Sequence, residues 1–252
     1  MKPKDVAASH FQTAGGAYAK YRPTYPAELA TFLALQCRQH NTALDLGCGT
    51  GQFSKLIANH FKQVLATDVS ASQIDNAVPA SNIRFAVEPA EQCSADDGSV
   101  DLIVAAQAAH WFDLARFYEE VERIAAPGAV LALVSYGVLA IDEAKCNERF
   151  GKFYYDEIGP YWPPERKHVD NGYASFEFPF QAIKYPSLSI ERNWTLEQFL
   201  GYVGTWSSIR AATKAGEGAI LGEFSKELAS LWGDPNQQTK ITWPIAKRLG
   251  RV

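Results

Sequence analysis

Three glycines at alternate positions, Gly47, Gly49 and Gly51, stand directly behind the apolar run Ala43 to Leu46 and ahead of a helical stretch beginning near Gln52. Glycine admits backbone angles that other residues resist and lets a ligand lie against the main chain. The run therefore asks for a tight strand-to-helix turn with a surface at its apex. The sequence repeats that unit. Apolar runs at Ala43 to Leu46, Gln63 to Asp68, Ile83 to Val87, Val100 to Gln107 and Ala129 to Tyr136 alternate with helical spacing. Several are continuous rather than alternating, as strands covered on both faces are. The clearest helix, Leu114 to Ala125, carries a stripe of Leu114, Phe117, Val121 and Ile124, with Glu119, Glu120 and Glu122 expected to face water. Pro127-Gly128 ends it. A βα alternation of this kind predicts an α/β fold, a doubly wound, mostly parallel sheet whose ligands bind beyond the carboxyl ends of its strands.

Outside that core the pattern is looser. Pro26 to Gln39 reads as a helix with Leu29, Phe32, Leu33 and Cys37 on one face. From Gly137 the regularity fails: Glu143 to Glu157 has helical spacing, then the breaker run Gly159-Pro-Tyr-Trp-Pro-Pro164 follows. Further on, the spacing predicts a strand over Gln181 to Tyr185, helices over Leu196 to Ile209 and Gly218 to Leu231, and a last strand over Thr239 to Leu249. The expected organisation is residues 1–136 as N-terminal helices and core, 137–178 as an insertion, and 179–252 as the rest of the sheet with further helices. The aromatic residues mark the insertion, for fifteen of the 31 fall between Phe150 and Trp206.

Charge limits the partners. The chain has 24 Lys and Arg against 28 Asp and Glu, a net charge of −4, so it lacks the positive excess of a phosphate-backbone binder and no nucleic-acid partner is expected. The basic residues near the end, Lys240, Lys247, Arg248 and Arg251, read as a solvated strand edge, and Arg149, Arg166 and Lys167 as solvated charges, with pairing to an acidic substrate as the alternative. Cys37, Cys48, Cys93 and Cys146 form no Cys-x-x-Cys pair, and the five histidines lack metal-ligand spacing, so the thiols read as reduced and no metal is expected. No stretch approaches the ~18 apolar residues of a membrane span and the first residues form no apolar leader, which makes the cytoplasm the expected location and excludes a membrane partner. Oligomeric state is left open.

The glycine turn admits more than one ligand. Counted from Gly47, the sixth position is Gln52 rather than glycine, which disfavours a dinucleotide pyrophosphate loop, and no Gly-Lys-Ser/Thr triplet follows to make a triphosphate loop. Two acids flank it instead, Asp45 ahead of the glycines and Asp68 at the end of the second strand. A carboxylate accepts two hydroxyl donors, and acids tolerate a cationic ligand where they would repel a pyrophosphate.

Asp45-x-Gly47-x-Gly49-x-Gly51 with Asp68 resembles the class I S-adenosylmethionine-dependent methyltransferases. Tyr18-Ala-Lys-Tyr-Arg-Pro-Thr-Tyr-Pro26 and Ala105-Ala-Gln-Ala-Ala-His-Trp-Phe112 are similar to the methyltransferase type 11 group that includes trans-aconitate methyltransferase-like proteins. The resemblance implies a Rossmann-like seven-stranded sheet, its last strand antiparallel, with helices on both faces and a helical cap insertion. It implies S-adenosyl-L-methionine as cofactor, leaving as S-adenosyl-L-homocysteine. Asp45, Gly47, Cys48, Gly49 and Gly51 would pass under its amino-acid and ribose parts, Asp68 with Val69 would hold the ribose, and Tyr18 and Arg22 would meet its carboxylate. Where many relatives carry an acid for the adenine, Pro89 stands here, leaving Ala90 and Glu91 as the contacts. Gln107 would also touch the cofactor, His110 and Trp111 would border the methyl group, and Tyr202 and Trp206 would face the substrate.

The reaction so implied is methyl transfer to a small molecule. A carboxylate oxygen would accept the methyl group without a base at pH 7, whereas a phenol, alcohol or amine would need one, and His110 is the best-placed candidate. His110 could equally serve only to hydrogen-bond the turn behind its strand. Most of the clustered aromatic rings are expected to be core of the cap, with a few shaping a pocket. A cofactor-binding protein without catalysis is the alternative, and a nucleotide-cofactor enzyme on a similar fold a more distant one.

Overall fold

A computed structural model describes residues 22–252. Tyr18 lies outside them. The strands are β1 (Thr42–Leu46), β2 (Gln63–Asp68), β3 (Ile83–Val87), β4 (Val100–Ala106), β5 (Ala125–Tyr136), β6 (Ala140–Ile141), β7 (Gln181–Ala182), β8 (Leu188–Trp194) and β9 (Thr239–Arg251). The helices are α1 (Ala27–Gln36), α2 (Gln52–Ala58), α3 (Ala71–Asp75), α4 (Leu114–Ile124), α5 (Ala144–Lys152), α6 (Arg166–Asp170), α7 (Leu196–Gly204), α8 (Ser207–Lys214) and α9 (Ala219–Trp232), with a π-helical turn over Phe153–Glu157 and a 3-10 turn over Ala109–Trp111.

The five strands β3-β2-β1-β4-β5 run parallel in that order and β9 is antiparallel beside β5. The described strands number nine rather than the expected seven, yet they occupy seven ranks. Ile245 of β9 pairs with Tyr136 of β5 and with Leu188 of β8, and Thr242 pairs with Ala140 of β6 and with Glu191 of β8. A strand has only two hydrogen-bonding flanks, so β6 continues the rank of β5 and β7 shares that of β8. The central strands bury nearly every side chain, β1 along its whole length. That is why they appear in the sequence as unbroken apolar runs. One face packs on α1 and α2 and continues into the aromatic rings of the cap, and the other packs on α4 and the segment around Tyr173.

Several expectations need correction. The last strand is no solvated edge, because β8 covers its outer flank, and Lys247 is buried with Nζ donating to the Pro186 carbonyl at 3.2 Å and lying over the Tyr185 ring. Glu120 does not face water. It is buried, accepts from Arg123 and from the Cys93 amide, and these partners hold its carboxyl down to about 2. The helix over Leu196 to Ile209 is two helices, since Trp206 turns to an extended backbone between α7 and α8. Where the regularity fails, the Gly137 amide donates to the Pro244 carbonyl and the short β6 follows. The strand over Gln181 to Tyr185 shortens to β7.

Candidate active site

The glycine turn is built on hydrogen bonds from β2. The amides of Gly47 and Cys48 both donate to the Thr67 carbonyl, at 2.8 and 2.9 Å. Gly47 (φ +70°) and Gly51 (φ +80°) lie in the left-handed region, and a Cβ would come within 2.5 Å of Ala108 Cβ at Gly47 and 2.6 Å of the Phe85 ring at Gly51. Alanine at either position would have to displace neighbours as well as adopt a strained backbone. Asp68 closes the turn, its Oδ2 accepting from the Gly49 amide at 2.9 Å and its Oδ1 from the Ser70 amide at 2.8 Å. Each oxygen retains room for a second donor.

Above the turn opens a cleft of about 170 Å³ at the carboxyl ends of β1, β2 and β4, lined by Asp45, Gly47, Cys48, Gly49, Asp68, Val69, Ala90 and Gln107, with Arg22, Glu88, Trp111 and Tyr136 closing its sides. Gly51 stands behind this wall. Asp45 sits at the base, fully buried, with Oδ2 taking the Ser54 hydroxyl at 2.6 Å and Oδ1 left without a partner among the described residues. Burial, opposed by the Ser54 bond and reinforced by Asp68, raises its carboxyl to about 7. Burial raises Asp68 as well. An orphaned carboxylate oxygen among acids is a fitting surface for a cationic group and an unfavourable one for phosphate.

Glu91 turns away from this cleft. Its Oε1 accepts from the Asp113 amide at 2.9 Å, and it is Glu88, three residues earlier, that reaches the wall. Gln107 holds a left-handed backbone (φ +58°) at the end of β4, with its amide donating to the Val134 carbonyl at 2.8 Å and Nε2 to the Tyr136 carbonyl at 3.2 Å. Such an angle is uncommon outside glycine, and here it turns the side chain to the boundary between two cavities.

Beyond that boundary lies an inner chamber of about 110 Å³, which shares Arg22, Gln107, Trp111 and Tyr136 with the cleft and is completed by His110, Trp162, Arg166, Trp206, Ser207 and Arg210. Its charge is opposite to that of the cleft: among the described residues three guanidinium groups, that of Arg22 shared with the cleft, and no acidic side chain line it. Arg166 is held by Tyr154 and Asp170, at 3.0 and 2.8 Å, and lies over the Trp162 ring. Arg210 donates to the Thr205 carbonyl at 3.1 Å, and the buried Nε1 of Trp162 has no partner among the described residues. Trp206 forms wall, but Tyr202 does not. It is buried behind Arg22, with its hydroxyl accepting from Trp243 Nε1 at 3.3 Å. Phe150, Phe153 and Tyr154 are cap core, as Phe153 stacked on Phe224 at 3.9 Å illustrates.

Arg166 joins the chamber, the alternative to its reading as a solvated charge, and Arg210 carried no expectation from the sequence. The signal for Arg210 is its place one helical turn beyond Trp206, which puts both on one face. Arg166 follows a run of prolines that hides its helix. His110 lies in the chamber wall, where burial first, then Arg166 and His168, lowers its imidazole to about 3. Among the described residues no three His, Cys, Asp or Glu side chains converge as a metal site, and no helix is long and apolar enough to cross a membrane.

Residues 44–133 match the model of the methyltransferase domain family. Along 237 residues the chain is 34% identical to a protein of Dictyostelium discoideum assigned as a methyltransferase, covering 92% of this chain and 89% of that one. A solved structure from Anaeromyxobacter dehalogenans, assigned as a type II methyltransferase, is 41% identical and superposes with a TM-score of 0.87 over 92% of this chain and 98% of its own. A malonyl-acyl-carrier-protein O-methyltransferase of Acetivibrio thermocellus is 25% identical over 224 residues, 81% of this chain and 78% of that one.

Proposed function

The chain belongs to the class I S-adenosylmethionine-dependent methyltransferases of the methyltransferase domain family, and on that premise we propose that it methylates a carboxylate oxygen of a small anionic molecule. The observation that carries this reading is the division of charge. The cleft holds Asp45, Asp68 and Glu88, which suit a cationic cofactor, while the chamber next to it holds Arg166 and Arg210 and, among the described residues, no acid, with Arg22 on the boundary between the two. Planar guanidinium groups match a carboxylate in paired hydrogen bonds. The O-methyltransferase of Acetivibrio thermocellus supports oxygen as the acceptor atom. At ~10 to 15 Å³ per water-sized group, the chamber has room for roughly seven to eleven such groups.

S-adenosylmethionine, when bound, supplies a methyl group on a sulfonium whose departure needs no proton. The residues then have three tasks. Asp45, Asp68, Val69 and the glycine turn, with Gly51 shaping it from behind, hold the cofactor, and Cys48 and Ala90 complete its bed. Gln107 and Trp111, shared by both cavities, set the line between donor and acceptor. The arginines and the rings of Trp162 and Trp206 orient the substrate and exclude water. Alignment of this kind is worth up to about 7 to 11 kcal/mol in well-oriented systems, and a carboxylate is already deprotonated at neutral pH. Residues 137–178, with α7 and α8, serve as the cap that selects the substrate.

A labelled-methyl screen over small carboxylic acids, phenols and amines tests the reading. The expected product is a methyl ester that releases methanol in mild base. A base-stable product, or binding of S-adenosylhomocysteine without transfer to any acid, would set it aside.

A further inference from the structure

The inner chamber contains one imidazole, and the group behind it has no part in the cofactor cleft. His110 Nδ1 lies 3.2 Å from the hydroxyl of Tyr173. Tyr173 is fully buried and stacks on Phe176 at 4.9 Å. It follows α6 in a costly conformation. Gly172 (φ +64°) and Tyr173 (φ +62°) are successive left-handed residues, and a Cβ on Gly172 would come within 2.5 Å of Ala246 Cβ. A bulky residue keeps such an angle only where its surroundings impose it. Here the Tyr173 amide donates to the His168 carbonyl at 2.7 Å, and Arg248 donates to the Tyr173 carbonyl from β9.

Two proton arrangements are open to the pair. If Nδ1–H donated to the phenol oxygen, the phenol hydrogen would be left in the interior, because the hydroxyl has no other partner among the described residues. If the phenol donates to Nδ1, that hydrogen is satisfied and the ring's own hydrogen sits on Nε2. An unmet buried donor is penalised far more than an oxygen with a spare lone pair. Nε2 has no protein partner among the described residues, and His110 is part of the chamber wall.

We infer that Tyr173 is a positioning residue: its phenol donates to His110 Nδ1 and fixes the tautomer that presents Nε2–H to the chamber, so that the imidazole gives a hydrogen bond to a substrate oxygen and takes no proton from it. The donor role rests on the proposed anionic substrate, whereas the tautomer does not. Charged and titratable neighbours act in the same direction. Arg166 and His168 on α6 oppose an imidazolium, Arg22 and Arg210 face it across the chamber, and its lowered basicity keeps it neutral. The arrangement suits an acceptor that needs no base. One carboxylate oxygen is held while the other takes the methyl group, the sulfonium leaves as a neutral thioether, and no proton moves.

Nitrogen-15 NMR of histidine-labelled full-length protein at pH 7, assigned with His110→Gln, reads the tautomer without any substrate. A protonated Nε2 and an unprotonated Nδ1 are expected, and a proton on Nδ1 would overturn the inference. Tyr173→Phe should release the ring to a mixture of tautomers while titration with S-adenosylhomocysteine is unchanged. In the methyl-transfer assay His110→Ala should lower kcat/KM about 10- to 150-fold, the range for a hydrogen bond to a charged group. His110→Gln, which retains a donor but no basic nitrogen, should recover most of that loss. A glutamine variant as inactive as the alanine one, with a wild-type rate that climbs with pH through the imidazole range, would show a base instead. Failure of the carboxylate reading would appear in the acceptor screen and leave the NMR result standing.

Discussion

Replacing Asp45 with Asn should separate stability from cofactor binding. Asp45 is fully buried, and its carboxyl is raised from 3.8 to about 7, chiefly by burial. Between those two values the folded protein holds a proton that the unfolded chain has lost. The carboxyl therefore leaves stability untouched below about pH 4 and costs progressively more as pH rises towards 7. At 1.36 kcal/mol per pH unit the whole cost is up to about 4 kcal/mol, of which about 2.5 kcal/mol falls between pH 5 and pH 8. Asn keeps the shape, still accepts from Ser54 and cannot ionise. Urea or thermal unfolding of the ligand-free protein at the two pH values should show the wild type losing about 2.5 kcal/mol more than the variant, equivalent to roughly 5 to 10 °C in Tm. The same substitution removes the orphaned oxygen in the cleft, so affinity for S-adenosylhomocysteine should fall about 10- to 150-fold by calorimetry. Parallel pH dependences in the two proteins, or equal affinities, would refute this account of the cleft.

Other parts of the structure give sharper single tests. Gly47→Ala must adopt φ +70° and displace Ala108, so urea denaturation should show a loss of roughly 2 to 4 kcal/mol from strain and overpacking together. Arg210→Met should raise KM for an anionic acceptor by about 10- to 100-fold, with S-adenosylhomocysteine binding unchanged, because only the inner chamber includes it. Glu120→Ala leaves the buried Cys93 amide without its acceptor and removes one of the two carboxylates that hold Arg123, Asp97 remaining, and should cost about 2 to 4 kcal/mol in chemical unfolding at pH 7. The depressed carboxyl of Glu120 contributes stability that is present above pH 4.5 and lost as pH falls towards 2, so the gap between variant and wild type should shrink in acid.

The places of β1 to β5 along the chain, and the covering of β1, β4 and β5 on both faces, were legible because these three carry continuous apolar runs between turn signals. β8 was not. Its sequence, Leu188 to Trp194, includes Glu191 and Arg192, since it lies on the outer flank where alternate side chains meet water. Missing it made β9 look like an edge and Lys247 like a solvated charge. The cleft was readable from residues close in sequence, since glycines and acids at fixed spacing carry their geometry with them. The chamber was not readable in that way, for Arg22, Arg166 and Arg210 converge only through the packing of the cap on the sheet. The Tyr173 to His110 bond had no sequence signal beyond Gly172, whose left-handed angle is shared by the tyrosine after it. Glu91 was expected in the wall because Pro89 stands where many relatives carry an acid, and the turn after β3 places Glu88 there instead.

The proposed reaction carries a methyl group from a cleft built for a cation to an anion held by arginines. Incubation of the full chain with methyl-labelled S-adenosylmethionine and a set of small carboxylic acids, followed by mild base, measures that transfer. Label should be released as methanol from a methyl ester, with release strongly reduced by Arg166→Met and by Arg210→Met. Label that stays bound through base treatment, or transfer that is indifferent to both arginines, would contradict it.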